Sequence, residues 1–192
     1  AAGDAENLVM TTTPGRTITG QMVLEQGPPS PMPKQLQVRA ASPDPEGSPG
    51  VQPPPPVTVT PELTFTMKGL MGEFLLRASV ALSSLPATAQ SAPVAQTLKA
   101  VVVNGDDITD TPREFRMNDR VTITFTTRTS TLEGKVQDAK GDPVASAGVV
   151  LFSEEKSSWR TISVRTRRSS SNMSGHFRLT GLLPGRYLIV AL

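Results

Sequence analysis

Apolar residues in this chain fall at every second position over short stretches, with Gly and Pro between the stretches. Residues 34–41 show it most clearly: Leu36, Val38 and Ala40 alternate with Gln35, Gln37 and Arg39. That is the pattern of a strand with one buried and one solvated face. Residues 16–25 put Ile18, Met22 and Leu24 on one face, with Gly20 at a bend or point of close packing. Further strands are predicted at 57–67, 73–80, 97–103 and 121–127, and 7–13 reads as a first edge strand. In the last third the predicted strands are 132–137, 147–152, 160–167, 175–179 and 186–192. Turn chemistry separates them, as at Pro14-Gly15, Gly69-Leu70-Met71-Gly72 and Asn104-Gly105. Helical period is confined to 75–85, where Ser83-Ser84 and Pro86 interrupt it. The fold class predicted is all-β.

The same pattern is written twice. Thr17-Ile18-Thr19-Gly20-Gln21-Met22 returns as Thr131-Leu132-Glu133-Gly134-Lys135-Val136, an offset of 114 residues. Phe65 to Leu76 returns as Phe177 to Ile189, starting at an offset of 112 with one residue inserted near Pro184. Two separated segments that recur in order at nearly one offset point to a duplicated unit. The expectation is two tandem antiparallel Greek-key β-sandwiches, Ig-like or prealbumin-like, over residues 1–128 and 129–192. The first carries a Pro-rich loop at 42–56 and a small-residue loop at 83–95. The second shows fewer strands and ends on an apolar one, so it is expected to be C-terminally incomplete, a fragment of something longer.

Composition narrows the functions. Aromatic residues are 4% of the chain, so the cores must be built from Val, Leu, Ile and Met. Nineteen basic residues against seventeen acidic ones give a net charge of +2, too mild to call for a nucleic-acid partner. Cysteine is absent, which removes disulfides and thiolate chemistry. No apolar run approaches the roughly 20 residues that span a bilayer as a helix.

The run Gly134-Lys135-Val136-Gln137-Asp138-Ala139-Lys140-Gly141-Asp142-Pro143-Val144, then Gly175-His176-Phe177 and Gly181-Leu182-Leu183-Pro184-Gly185-Arg186-Tyr187, resembles the carboxypeptidase regulatory-like domain family. In this motif Gly141 and Pro143 make a turn, Phe177 anchors a core, and Gly181 and Gly185 flank a proline corner. The resemblance implies a prealbumin-like (transthyretin-like) sandwich of the kind found in bacterial exported proteins. Localisation outside the cytoplasm, extracellular or periplasmic, follows from it as an expectation. Asn172-Met173-Ser174-Gly175 stands where the family has an acidic turn opening. The linker from Val103 to Pro112 also resembles a connector between such repeats. Peptidase activity does not transfer, because a hydrolytic zinc site needs about three protein ligands and His176 is the single histidine.

No catalytic residues and no cofactor are assigned. His176 sits at a strand start opposite a core anchor and reads as an exposed turn residue rather than part of a Ser-His-Asp arrangement. Asp106, Asp107 and Asp110 group carboxylates as a calcium loop would, at a spacing that also suits an ordinary turn. Trp159, Arg160, Arg165, Arg167 and Arg168 form the densest cationic stretch, expected on one strand with Arg165 and Arg167 sharing a face. That stretch reads first as a charged face that guards a strand against edge pairing, and otherwise as a site for anionic polysaccharide or lipid headgroups. The function expected is a non-catalytic structural or interaction module of a larger exported protein, with other domains of that chain as partners. A carbohydrate-binding module using Trp159 and the strand from Arg160 to Arg168 is the alternative. A second alternative is an accessory domain of a peptidase or outer-membrane transporter.

Overall fold

Strands form where alternation is strongest and end at the Gly, Pro and Asn positions. The computed structural model describes residues 14–25, 36–43, 52–80, 96–160 and 162–192. The expected edge strand at 7–13 and the loop at 83–95 lie outside the described residues, as does most of the loop at 42–56. The first nine strands are β1 (Arg16–Leu24), β2 (Leu36–Ala41), β3 (Val57–Thr58), β4 (Thr64–Leu70), β5 (Glu73–Val80), β6 (Thr97–Val103), β7 (Asp106–Asp107), β8 (Arg113–Glu114) and β9 (Arg120–Thr126). They make two sheets, ordered β4-β1-β9-β6-β7 and β3-β2-β5-β8. Five more follow: β10 (Ser130–Lys135), β11 (Gly148–Ser153), β12 (Arg167–Ser170), β13 (His176–Leu182) and β14 (Tyr187–Ala191). These make the pair β10-β13 and the sheet β12-β11-β14.

The chain is therefore two β-sandwiches in tandem, and the duplication read from the sequence reappears as strand register. In β1–β4, Ile18 lies opposite Met67 and Gly20 opposite Phe65, with a bulge between Arg16 and Ile18. In β10–β13, Leu132 lies opposite Leu179 and Gly134 opposite Phe177, with the bulge between Ser130 and Leu132. Both glycines serve the same packing. A Cβ on Gly20 would sit 2.3 Å from the Phe65 ring, and one on Gly134 would sit 2.6 Å from the Phe177 ring. Each aromatic ring reaches over the bare backbone of its neighbouring strand, which is why glycine stands there.

The first core fills the space between its two sheets with Ile18, Val38, Phe65, Met67, Phe74, Leu76, Val101 and Ile123, all essentially inaccessible to solvent. The second core is far smaller: among the described residues, Val149, Leu151, Leu179 and Leu182 are its buried members.

The structure corrects three expectations. The sheets are not wholly antiparallel, because β1 and β9 run parallel, with Met22 opposite Ile123. The expected strand at 57–67 is two elements, β3 and β4, separated by a turn in which the Leu63 amide donates to the Thr60 carbonyl. The expected strand from Arg160 to Arg168 is mostly not a strand. Residues 156–158 form a single 3-10 turn, the chain then turns irregularly, and pairing begins only at Arg167. The irregular segment is held by contacts with the first sandwich, described next, and those contacts replace a sheet ladder.

Candidate functional site: the buried junction between the sandwiches

Arg77 stands in the apolar run Phe74-Leu75-Leu76-Arg77-Ala78 of β5, where alternation directs Phe74 and Leu76 into the core and Arg77 to the outer face. An outer face is normally wet, yet Arg77 is buried. What covers it is the turn at Thr109 and Asp110 together with the segment Ile162-Ser163-Val164 of the second sandwich. Arg77 Nη2 donates to Asp110 Oδ1 at 2.9 Å and to the Ile162 carbonyl at 2.8 Å. Nε donates to the same Ile162 carbonyl at 3.0 Å, and Nη1 to the carbonyls of Leu76 and Thr109 at 2.9 and 2.7 Å. The planar fork of the guanidinium is thus fully used.

Asp110 completes the network from the other side. Its Oδ2 accepts the Ser163 hydroxyl at 2.6 Å, and Oδ1 accepts the Val164 amide at 3.0 Å. Four hydrogen bonds of this one ion pair therefore cross between the sandwiches. Apolar packing accompanies them: Val164 and Leu183 of the second sandwich belong to the core cluster of the first. The connection from β9 to β10 spans only residues 127–129, so the two sandwiches are held close by chain as well as by contact.

Burial pushes the Arg77 guanidinium below its ordinary proton affinity, and Asp110 opposes that shift by charge and by hydrogen bond. The group remains a cation at neutral pH, because an arginine is not deprotonated in proteins. Arg167 shows the same balance, with burial lowering it and Tyr187 and Asp110 opposing. Its Nη1 donates to the carbonyls of Val164 and Thr166, and its Nη2 to that of Gly181. An open pocket of about 180 Å³ beside the junction is bordered by Arg39, Arg77 and Arg167; Arg77 spends its donors on these carbonyls and on Asp110, and Arg167 gives both Nη1 hydrogens and one from Nη2 to carbonyls.

The residues singled out in the sequence take other places. Asp106 pairs with Arg113, Asp107 accepts from the amide and hydroxyl of Thr109, and Asp110 belongs to the junction, so the three carboxylates serve three different sets of protein donors. Arg165 donates to the Pro184 carbonyl, which ties the cationic segment to the proline corner. Trp159 is half-exposed; its indole nitrogen donates to the Ser153 carbonyl at 2.7 Å, and its ring meets Phe152 edge-to-face at 5.4 Å. Arg160 is exposed beside it. His176 is exposed on β13, opposite Lys135. Asn172 does the work expected of an acidic turn residue, its side-chain oxygen accepting from the Ser174 and His176 amides. The Tyr187 hydroxyl donates to the Leu183 carbonyl at 2.8 Å and closes the proline corner.

No reading of spacing found the junction. Its signals in the sequence are the cation Arg77 within the apolar run Phe74 to Ala78, which needs a buried counter-charge or a covering segment, and the nearby carboxylate Asp110.

No family model matches the chain, and no curated protein matches it. Solved structures similar to it include a single B repeat unit of the collagen binding surface protein of Staphylococcus aureus, at 15% identity and a TM-score of 0.34 over 93% of this chain and 86% of that one. The Bacillus anthracis TIE protein aligns at 13% identity and a TM-score of 0.31 over 93% of this chain. The full-length major pilin RrgB from Streptococcus pneumoniae aligns at 11% identity and a TM-score of 0.30 over 92% of this chain. The chain spans 28% of the length of the TIE protein and 40% of that pilin.

Proposed function

We propose that this chain is a non-catalytic spacer from a longer extracytoplasmic protein, in which two duplicated sandwiches, residues 1–128 and 129–192, are locked into one body. The resemblance of the second sandwich to carboxypeptidase regulatory-like domains belongs to this reading. The observation that carries it is the Arg77–Asp110 pair, buried and bonded to Ile162, Ser163 and Val164. A flexible linker would leave both groups in water, whereas here their desolvation is repaid only while the sandwiches stay docked. Val164 and Leu183 of the second sandwich are buried in the core cluster of the first, so docking adds burial to the second sandwich as well. Calorimetry tests the proposal. The native chain should unfold in one cooperative transition. Ser163→Asp, which sets a second carboxylate against Asp110 at a residue that belongs to neither core cluster, should separate an earlier transition for the second sandwich. An unchanged single transition in that variant would contradict a lock at this place.

A second reading has one observation in its favour. The Trp159 ring is half-exposed and held in orientation by Ser153 and Phe152, as a sugar-stacking platform requires. With Arg165 and Arg167 engaged by carbonyls, that platform reduces to Trp159 and Arg160. Retardation on acidic or neutral glycans in affinity electrophoresis, abolished by Trp159→Ala, would establish it; no retardation on any glycan leaves the spacer alone.

A further inference from the structure

Arg39 and Arg77 lie directly opposite each other in β2–β5 and share the outer face of that sheet. Like charges set opposite one another repel, and Arg39 acts on Arg77 against its charged form. Asp110 answers one of the two cations. Arg39 is exposed, and among the described residues its guanidinium has no hydrogen-bond or ion-pair partner. Such a pair costs stability unless opposite charge lies over it.

The pocket of about 180 Å³ at the junction opens beside this pair. Its walls are β2, β5 and β6 of the first sandwich and residues 162–167 of the second, with no part of β10 or β14. Arg167 gives both Nη1 hydrogens and one Nη2 hydrogen to carbonyls, so Nε and the other Nη2 hydrogen have no acceptor among the described residues. The Thr97 hydroxyl lies close by. A Cβ on Gly181 would sit 3.1 Å from Thr97 Oγ1 and 3.8 Å from both Nε and Nη2 of Arg167. Glycine leaves that space among the donors unfilled. Three guanidiniums therefore stand against the one carboxylate of Asp110, an excess of two positive charges.

We infer that this pocket binds a dianionic tetrahedral oxyanion, a phosphate or sulfate group, held between Arg39 of the first sandwich and Arg167 of the second. The excess charge matches a dianion, whereas one carboxylate would neutralise half of it. Donors come from β2, β6 and the start of β12, on two sandwiches, which suits oxygens arranged in a tetrahedron better than two in a plane. Arg77, whose donors are all spent on the protein, contributes charge alone. The pocket is open, so a free ion and a phosphomonoester present the same chemistry to it. The site exists only while the sandwiches are docked and so rests on the lock proposed above.

Titration calorimetry of the whole chain at fixed ionic strength tests the inference, with inorganic phosphate, sulfate, phosphoserine and acetate as probes. Saturable binding of one phosphate or sulfate per chain is expected, at least about tenfold tighter than acetate. Phosphoserine binding as tightly as phosphate would assign the site to monoesters, and its rejection to the free ion; the site stands in both cases. Arg39→Gln should weaken phosphate binding about tenfold or more. Without phosphate the same variant should be no less stable than the native chain in denaturant, since it removes a like charge opposite Arg77. Arg168→Gln, an exposed cation outside the pocket, should change binding little. Absence of saturable binding, acetate bound as tightly as phosphate, or equal losses in the two variants would overturn the inference. If binding fails while spin labels on the two sandwiches report one narrow distance, the site alone is wrong. If binding fails and the distance is broad, the lock falls with it.

Discussion

At the scale of single residues, small geometric facts decide which substitutions matter. Gly20 and Gly134 occupy equivalent positions under Phe65 and Phe177, but their surroundings differ. A methyl group on Gly20 would meet the Phe65 ring and also the Val121 carbonyl at 2.9 Å, inside a filled core. On Gly134 it would meet only the Phe177 ring, which borders an open cleft and can move. Gly20→Ala should therefore cost about 1–3 kcal/mol in denaturant unfolding, and Gly134→Ala clearly less. The reverse order would mean the two sites are not packed alike. Asp110→Ala leaves the buried Arg77 without its counter-charge and should cost about 3–5 kcal/mol, most of it restored by replacing Arg77 with Met in the same chain. If Asp110→Ala were neutral by the same measurement, the pair would not be desolvated.

At the scale of elements, alternation and repetition carried most of the information. The pairing of Ile18 and Gly20 with Met67 and Phe65, repeated 112 to 114 residues later, was readable because side-chain period and glycine placement are local properties. What is set by the rest of the molecule was not readable. The parallel contact of β1 with β9 joins residues about a hundred positions apart and leaves no mark on either strand. The stretch from Arg160 to Arg168 looks like a strand by composition, yet Ile162 to Val164 is spent on docking. Phe177 is the aromatic anchor predicted from sequence, but its ring is only partly buried. Its truncation to Ala should accordingly cost less than that of Phe65, which is enclosed and should lose about 3–5 kcal/mol. Equal losses for the two in chemical denaturation would imply that the second core is better covered than its register position indicates.

At the scale of the whole molecule, the two sandwiches share one buried junction beside the core of the first. The first sandwich is closed by β6 and β9, and its outer face carries the socket built from Arg77 and Asp110. The second sandwich enters that socket with Ser163 and Val164, and Val164 is buried in the core cluster of the first. Because the chain has no cysteine, two introduced thiols can be labelled without interference. The most direct measurement is the distance distribution between spin labels at Lys68→Cys and Lys140→Cys, exposed positions on the first and second sandwiches. A locked junction predicts one narrow distribution in the native background and a broad one once Ser163→Asp is added. A broad distribution in the native background would contradict the lock.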